Sequence, residues 1–383
     1  MFRLNVQVST LILSMIGRMF YFIVIICIAL LNYVYSQHFY NGTNYDIDRK
    51  LETAATEEAA EEEVVTIPIL SKPHFFLIGA MKCGTTSLHK LLIQHPQICG
   101  LGEKEKHYFD KDMTAADTKN YLLEFAKCPK NQFLIDSTPR YLAIDLVPFR
   151  ISQSYTKEDL SKKKFMIILR EPVSRHYSEY QFRVRLCTDI FDEDKGPSDD
   201  EYKNIRGNRN CKRVTKNYKV GIDEKSLEIM TFAEWVKSED GSGEMKRGHY
   251  IEHIKEWLKI IRRDQLFIIN FQSLITDTSD VMNRLSIHLG LSENWGKRVA
   301  LPKPKEHRPS TFLDCETHDM LNKHYTKMNL ELVRFVNSAS DRPPTEPEFP
   351  EFASSRASCL KKAPNVDDDE VKSFDDENDD DNK

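Results

Sequence analysis

The feature that most constrains this chain is a glycine-bounded loop between an apolar segment and a helical one. The apolar segment is His74–Ile78, a predicted buried strand, and the helical spacing begins at Leu88–Leu92. The loop between them reads Gly79-Ala80-Met81-Lys82-Cys83-Gly84-Thr85-Thr86-Ser87. The first backbone N–H groups of a helix lack partners, and the helix dipole favours negative charge. This arrangement therefore predicts an anion cradle.

The loop has the glycine spacing of a nucleotide-triphosphate loop but lacks its lysine. Gly79 and Gly84 match the pattern G-x-x-x-x-G-K-[ST], whereas Thr85 stands where that pattern requires lysine and Lys82 lies inside the loop. The cradle is therefore expected to hold a phosphate-like group other than a magnesium-bound triphosphate. A P-loop kinase or another nucleotide hydrolase is the alternative from the same fold.

Further apolar segments predict the rest of a sheet. Phe133–Asp136, Lys164–Leu169 and Leu266–Ile269 have the composition of buried strands, with helical patterns between them. Repeated strand–loop–helix units predict an α/β fold, in which a central parallel sheet is flanked by helices and ligands bind at the carboxyl ends of the strands. A last amphipathic helix is predicted over Met328–Val336.

Composition divides the chain into a basic centre and acidic flanks. Residues 64–364 carry a net charge of +7, whereas the whole chain carries −5. A basic centre predicts an anionic partner, with solvated surface lysines as the alternative explanation. The predicted organisation is a cytoplasmic tail at 1–18, a signal-anchor helix at 19–35, a lumenal stem at 36–70, a folded domain at 71–345 with a long insertion loop at 187–226, and an acidic disordered tail at 346–383.

The apolar segment at 19–35 predicts the cellular location. Arg3 and Arg18 precede it and acidic residues follow it, so the positive-inside rule orients the bulk of the chain into the lumen. We predict an uncleaved type II membrane anchor, with a signal peptide cleaved near Ser36 and a secreted product as the alternative. Both interpretations agree with the glycosylation sequon at Asn41.

The cysteines are compatible with an oxidising compartment. We predict a disulfide between Cys187 and Cys211, because it would close a polar excursion of the chain. No spacing of cysteines and histidines resembles a zinc site, and no metal is predicted.

A second anion-binding motif follows the strand that ends at Leu169. Arg170 lies at the carboxyl end of this strand, and Ser178 lies about two turns into the helix that follows. A guanidinium and a hydroxyl placed in this way suit a second phosphate. A surface salt bridge and a solvent-facing serine are the alternatives for the two residues taken singly.

The two motifs together resemble those of a known family. Gly-x-x-Lys-x-Gly-Thr-Thr-Ser-Leu followed by Leu-Arg-Glu-Pro-x-x-Arg-x-x-Ser-x-Tyr resembles the donor-binding pair of PAPS-dependent sulfotransferases, most of all the Golgi carbohydrate branch that includes heparan sulfate N- and 3-O-sulfotransferases. The resemblance runs from about Pro73 to Val336. It implies that Lys82, Cys83, Gly84, Thr85, Thr86 and Ser87 hold the 5′-phosphosulfate and that Arg170 and Ser178 hold the 3′-phosphate.

A third segment is similar to the catalytic segment of that family. Glu103-Lys104-Glu105-Lys106-His107-Tyr108-Phe109-Asp110 resembles Glu-x-His-Phe-Phe, whose glutamate is the proposed catalytic base, and this match falls on Glu105 with His107 beside it. The acceptor must lose a proton while it attacks sulfur. Lys82 would neutralise charge on the departing oxygen without a metal. A solvated charged loop is the alternative interpretation of this segment.

Weaker matches extend the resemblance to the rest of the site. Tyr250 matches a family helix start, and Lys303 and Lys305 partly match a donor-binding loop in which Pro304 replaces glycine. Ser137 stands where 3-O-sulfotransferases carry lysine, although Arg140 could supply a nearby positive charge. Basic residues expected near the site, with Lys106 and Arg140 as the predicted acceptor contacts, are Lys104, Lys106, Arg140, Arg183, Arg185, Lys212 and Arg213.

The sequence thus predicts a Golgi-lumenal enzyme that transfers a sulfuryl group from PAPS to a hydroxyl or amine of a glycan. The predicted acceptor is a glycosaminoglycan-like polyanion, and no nucleic acid partner is expected. Besides the kinase, the alternatives are a catalytically inactive glycan-binding protein and an enzyme that sulfates protein tyrosine.

Overall fold

A computed structural model of the protein describes residues 72–100, 104–189, 201–219, 226–291, 295–298, 313–353 and 359. The predicted anchor and stem, the Asn41 sequon, Lys303, Lys305 and the chain after Pro364 lie outside these ranges. Among the described residues, no helix combines the length and the apolar character needed to cross a bilayer.

The centre of the fold is a parallel sheet of five strands in the order β2-β3-β1-β4-β5. All four neighbouring pairs are parallel, as the strand–loop–helix pattern predicts. Long apolar side chains cover both faces, and every residue of β1 and β5 is buried. The strands are β1 Phe75–Gly79, β2 Ile98–Cys99, β3 Phe133–Asp136, β4 Lys164–Leu169 and β5 Leu266–Asn270.

Helices connect the strands and flank the sheet. In chain order they are α1 Thr85–Leu92, α2 Ala115–Ala126, α3 Leu146–Gln153, α4 Lys157–Lys162, α5 Pro172–Thr188, α6 Glu201–Val214, α7 Phe232–Lys237, α8 Glu239–Met245, α9 Tyr250–Leu258, α10 Phe271–Thr276, α11 Thr278–His288 and α12 Cys315–Ser338, with short 3₁₀ turns at Pro139–Ala143, Lys246–Gly248, Arg263–Gln265 and Trp295–Arg298.

The order of the strands determines where a ligand can bind. After β1 the chain builds β2 and β3 on one side of it, and then β4 and β5 on the other. The connections therefore leave in opposite directions at the carboxyl end of β1. Such a reversal leaves a crevice at the carboxyl ends of the strands, and this crevice is the usual ligand site of open parallel sheets.

The prediction of one long loop over 187–226 is wrong for part of this segment. Residues 201–214 form α6, which packs against α5, and the predicted disulfide joins Cys187 to Cys211. Helix α6 has few apolar residues, so its stability depends on this covalent and packing support and not on a long apolar stripe.

Two further findings correct the predicted boundaries. Helix α12 extends over Cys315–Ser338, far beyond the predicted 328–336, and begins where the side chain of Asp314 accepts a hydrogen bond from the Thr317 N–H. The segment 346–353 is not the start of a disordered tail, because Glu346 and Phe349 are buried against the domain.

The described cysteines form two disulfides that the spacing did not specify. Cys99 pairs with Cys128, which links β2 to the segment before β3, and Cys315 pairs with Cys359. Cys83 is the free cysteine of the described residues and is fully buried.

Candidate functional site

The loop after β1 has the geometry of an anion cradle. It leads into α1, whose N-cap is Gly84 with φ of 88° and no side-chain cap. A Cβ at Gly84 would meet the ring of Phe271 at 2.7 Å, so both the backbone conformation and the close approach require glycine. The unpaired N–H groups at the start of α1 are therefore open to an anion rather than capped by a side chain.

Lys82 lies in this loop with φ of 66°. Its ammonium lies 3.8 Å from the centre of the Phe182 ring, and the guanidinium of Arg185 approaches the same ring at 5.4 Å. Burial lowers the pKa of Lys82 to about 8, with Arg185 among the nearby cations that add to this effect and Glu179 opposing it. An anion bound in the cradle would stabilise the charged form of Lys82 and thus raise its pKa.

The second motif lies beside the first. Arg170 follows β4 directly, and its guanidinium carbon lies 5.0 Å from the centre of the Phe271 ring, the same ring that contacts Gly84. Ser178 is half-buried on α5, one helical turn before Phe182. The two loops that the sequence assigns to the two phosphates are therefore neighbours.

Tyr250 connects the two loops through buried contacts of its hydroxyl group. It is 1% exposed, and its hydroxyl donates to the carbonyl oxygen of Arg170 at 2.9 Å and lies 3.5 Å from Sγ of Cys83. In the described structure, Tyr250 and Cys83 are thus buried supports of the cradle. The sequence had assigned both of them to direct contact with the donor.

Glu105 and His107 form the centre of a charged network. Nε2 of His107 lies 3.5 Å from Glu105, and Nδ1 of His107 lies 2.7 Å from Asp110. The ammonium of Lys104 contacts the other carboxylate oxygen of Glu105 at 2.6 Å. Glu105 and His107 both have left-handed backbones, with φ of 72° and 52°. The structure therefore brings the two predicted catalytic residues together.

The network sets the protonation state of its members. Burial by itself would raise the pKa of Glu105, but the hydrogen bond from His107 and the charge of Lys104 outweigh it and lower this pKa to about 2. The hydrogen bond to Asp110, followed by that to Glu105, raises the pKa of His107 to about 9. At neutral pH the pair is therefore a carboxylate and an imidazolium.

A buried cluster holds this segment against the end of β3. The hydroxyl of Tyr141 accepts hydrogen bonds from the backbone N–H groups of Tyr108 and Phe109, at 3.1 and 3.2 Å, and donates to Asp136 at 3.1 Å. The N–H of Glu105 donates to the carbonyl of Ser137 at 3.0 Å. The segment that contains the left-handed residues is thus positioned by contacts to the end of β3 and to the turn that follows it.

The two predicted acceptor contacts differ in the structure. Arg140 is half-exposed, with Nε 3.7 Å from Asp110, and therefore lies at the edge of the segment that is predicted to be catalytic. Lys106 instead forms an ion pair with Glu124 on α2, and its side chain is only 11% exposed. In this conformation the ammonium of Lys106 is paired and mostly buried.

Arg183, which the sequence grouped with the basic residues near the site, is a buried structural residue. Its guanidinium lies 2.8 Å from Glu179 and 2.6 Å from Glu244, and all three side chains are under 10% exposed. Buried arginines are normally paired in this way, because an isolated charge is costly to bury. Arg183 is therefore not available to an acceptor.

Several residues of the site are not predicted by the sequence. Phe182, which lies against Lys82, and Tyr141 are aromatic residues within helical or turn patterns, which are more often core residues than functional ones. Asp110 is three residues after His107, and this spacing alone could have indicated the pair. Within the described ranges, no three His, Cys, Asp or Glu side chains cluster in a way that could hold a metal ion.

Comparison with known proteins agrees with this architecture. The family model "Sulfotransferase domain" matches residues 72–334. The chain is 23% identical over 298 residues to bifunctional heparan sulfate N-deacetylase/N-sulfotransferase 4 of Mus musculus, covering 69% of this chain and 30% of that protein. It is 28% identical over 206 residues to heparan sulfate glucosamine 3-O-sulfotransferase 5 of Mus musculus, covering 54% of this chain and 49% of that protein.

Among solved structures, a sulfotransferase from Alicyclobacillus acidocaldarius is similar with a TM-score of 0.47 and 21% identity, covering 70% of this chain and 96% of that one. The chain spans less than half the length of the two mouse relatives. The family match begins just before β1, ends within α12, and contains both loops that are predicted to bind anions and the Glu105 segment. The chain therefore belongs to the sulfotransferase-domain family.

Proposed function

We propose that this protein transfers a sulfuryl group from PAPS to a hydroxyl or amine of a glycan, with a glycosaminoglycan-like polysaccharide as the acceptor. One observation carries the proposal: the loops after β1 and β4, which are predicted to bind anions, meet at Phe271 and Tyr250, and Lys104 links the start of α1 to the carboxylate of Glu105. The heparan sulfate sulfotransferases named above support the choice of acceptor class.

The donor would be held at both ends. The start of α1, with Lys82 and the hydroxyls of Thr85, Thr86 and Ser87, would bind the 5′-phosphosulfate, because unpaired N–H groups and a cation converge there. Arg170 and Ser178 would bind the 3′-phosphate. PAPS is a substrate in this reaction, and the residues that face its expected position are basic and hydroxyl-bearing, which fits a dianionic phosphate and a phosphosulfate.

The chemical step needs a base and a stabilised leaving group. A lone pair of the acceptor oxygen or nitrogen would attack sulfur, the bond from sulfur to the bridging oxygen would break, and that oxygen would leave with the electron pair as part of PAP. Glu105 would take the acceptor proton. Lys82 would stabilise the negative charge that develops on the bridging oxygen.

His107 and Asp110 would act through Glu105. The imidazolium of His107, held by Asp110, keeps the carboxylate of Glu105 ionised and oriented. In our proposal a carboxylate with so low a pKa becomes a stronger base once an anionic donor lies next to it, because nearby negative charge raises a carboxylate pKa. Arg140 at the rim is proposed to contact the acceptor.

We further propose that the protein acts in the Golgi lumen. The apolar segment at 19–35 would anchor it as a single-pass type II membrane protein, and Asn41 would be glycosylated. Three disulfides within the described residues support an oxidising compartment. Cleavage of the segment near Ser36 would give a secreted enzyme instead.

The decisive experiment incubates the full-length protein with PAPS labelled in its sulfur and with a panel of acceptors. We expect label to appear in desulfated heparin, N-acetylheparosan or chondroitin, and disaccharide analysis would identify the modified position. A tyrosine-containing acidic peptide and γ-labelled ATP serve as the comparison substrates.

The outcomes separate the alternatives. Label transferred only from ATP would identify a kinase-like enzyme, and label found only on the peptide would identify a tyrosine sulfotransferase. Binding of PAP and of glycan without any turnover would identify an inactive binding protein. Each of these three results contradicts the proposed function.

A further inference from the structure

Lys104, which has no role in donor binding in the proposal above, connects the start of α1 to Glu105, the proposed base. The ammonium of Lys104 lies 3.1 Å from Oγ1 of Thr86 and 2.6 Å from Oε1 of Glu105. Thr86 is the second residue of α1, at the end of the helix where the cradle lies. A single ammonium thus touches both the anion-binding helix and the catalytic segment.

The environment of Lys104 distinguishes it from an ordinary surface ion pair. Its side chain is only 14% exposed, and its positive charge is close enough to contribute to the lowered pKa values of both Lys82 and His89. Lys82 and Lys104 are therefore two partly buried cations near the same loop, and their charges repel each other. An approach of this kind is favourable once an anion is bound between them.

We propose that Lys104 binds the 5′-phosphosulfate end of the donor, including its 5′-phosphate, and at the same time remains the counter-ion of Glu105, so that it couples occupancy of the cradle to the catalytic base. This inference deepens the proposed function and depends on PAPS being the donor. An ammonium has three N–H donors and can therefore bridge a donor oxygen, the Thr86 hydroxyl and the carboxylate simultaneously.

The proposed position of Lys104 would reduce the repulsion between the donor and Glu105. An anionic donor placed against α1 and the carboxylate of Glu105 repel each other, which weakens donor binding and favours protonation of the carboxylate. A cation placed between them reduces the repulsion and limits the rise of the carboxylate pKa, so that Glu105 becomes a stronger base but stays ionised. Without Lys104, the donor should therefore bind less tightly and the acidic limb of the kcat profile at saturating PAPS should move to higher pH.

The test measures the binding of two nucleotides to the full-length protein by calorimetry. PAP carries both phosphates, whereas adenosine 3′-monophosphate lacks the 5′-phosphate that lies at the cradle. Lys104→Met should weaken PAP binding by at least about tenfold, because hydrogen bonds between charged groups are the strong ones. The same substitution should change the affinity for adenosine 3′-monophosphate by less than about twofold, since that ligand places no anion at α1.

Matched variants complete the design. Lys111→Met removes a different lysine–carboxylate pair, with Asp117, on an exposed part of the same region and should affect neither ligand. Lys104→Arg keeps the charge and should retain most of the preference for PAP. Lys104→Gln provides the same comparison if the methionine variant does not fold.

The outcomes distinguish this inference from the proposed function. If the wild-type protein binds PAP and Lys104→Met or Lys104→Gln binds it equally well, or loses both ligands to the same extent, the role of Lys104 is refuted while the donor assignment stands. An unmoved acidic limb of the kcat profile also refutes the coupling. If the wild-type protein does not bind PAP, the proposed function itself fails.

Discussion

Lys82, Glu105 and His107 share a backbone property that their side chains do not reveal. Among the described residues they are the non-glycine positions with positive φ. Holding such a residue in a left-handed conformation costs on the order of 1–3 kcal/mol, and strain of this kind concentrates at functional sites. The residues that the sequence predicted to be catalytic are thus the ones whose backbone is strained, which supports their proposed role.

At this scale the first prediction concerns Glu105. Glu105→Gln removes the proposed proton acceptor but keeps the size of the side chain, so kcat should fall by about 100-fold or more while PAP affinity changes little. Steady-state sulfuryl transfer and PAP calorimetry measure the two quantities. Glu158→Gln, an exposed residue paired with Lys162, is the control. Full activity of Glu105→Gln would remove this residue from the mechanism.

The raised pKa of His107 predicts a pH-dependent contribution to stability. A folded pKa of about 9 against an ordinary value of 6.5 means that the contribution is complete below pH 6.5 and is lost as pH rises through 9. The free energy of unfolding of the wild type should therefore exceed that of His107→Gln most at pH 6 and least above pH 9. Because the imidazole is 44% exposed, we expect a difference of about 1 kcal/mol at most.

Urea unfolding at pH 6, at pH 7.5 and above pH 9 measures this difference. Lys82, whose pKa is lowered to about 8, titrates in the same window, so only the comparison with His107→Gln isolates the histidine. If the difference in free energy of unfolding between the wild type and His107→Gln increased as pH rises, the assigned pairing of His107 with Glu105 and Asp110 would be contradicted.

At the scale of elements, the segment 105–110 depends on the turn that follows β3. Tyr141→Phe leaves two buried backbone N–H groups and one lone pair of Asp136 without their partner, and each loss of this kind costs about 1–3 kcal/mol. Because these N–H groups orient the catalytic segment, kcat should fall at least about tenfold with PAP affinity retained.

Tyr121→Phe is the matched control for that variant. The Tyr121 hydroxyl also donates to Asp136, at 2.8 Å, but accepts no hydrogen bond from the backbone of the catalytic segment in the described structure. Both variants should lose stability in thermal unfolding, and only Tyr141→Phe should lose turnover. Equal losses of kcat in the two variants would show that Asp136, and not the tyrosine contact, positions the segment.

The elements that the sequence predicted poorly are polar ones. Strands β1, β3, β4 and β5 follow apolar patterns, so their positions could be predicted to within a few residues. Helices α6 and the first half of α12 have sparse apolar positions and are stabilised by packing and by disulfides at Cys211 and Cys315. Local propensity is a weak guide when tertiary contacts supply most of the stability.

At the scale of the whole molecule, the segment 343–353 closes the edge of the sheet. Glu346 is buried, forms an ion pair with Arg263, and accepts a hydrogen bond from the Ile268 N–H on β5 at 2.8 Å. Asn337 on α12 exchanges hydrogen bonds with the backbone of Phe349. The edge strand β5 is therefore covered by residues that the sequence assigned to a disordered tail.

This arrangement predicts the effect of removing Glu346. Glu346→Ala leaves the buried guanidinium of Arg263 unpaired, which should lower the free energy of unfolding by about 3–5 kcal/mol. Chemical denaturation measures the loss, and the exposed Glu348→Ala is the control. A loss within about 1 kcal/mol of the control would show that the segment contributes little to the closure of the sheet.

The sequence by itself determined the α/β class and the glycine-bounded loop after β1, and it predicts which residues would bind phosphate and act as acid or base. These features arise from apolar runs, glycines and helix starts, which act over a few neighbouring residues. Only the tertiary structure decided that Lys106 pairs with Glu124 and that Tyr250 contacts both loops from the protein interior. It also decided that Lys104 contacts both Thr86 at the start of α1 and Glu105. These contacts depend on which distant elements pack together. A charged or buried polar side chain pairs with the partners that the folded chain places next to it, and burial determines how strongly it needs them.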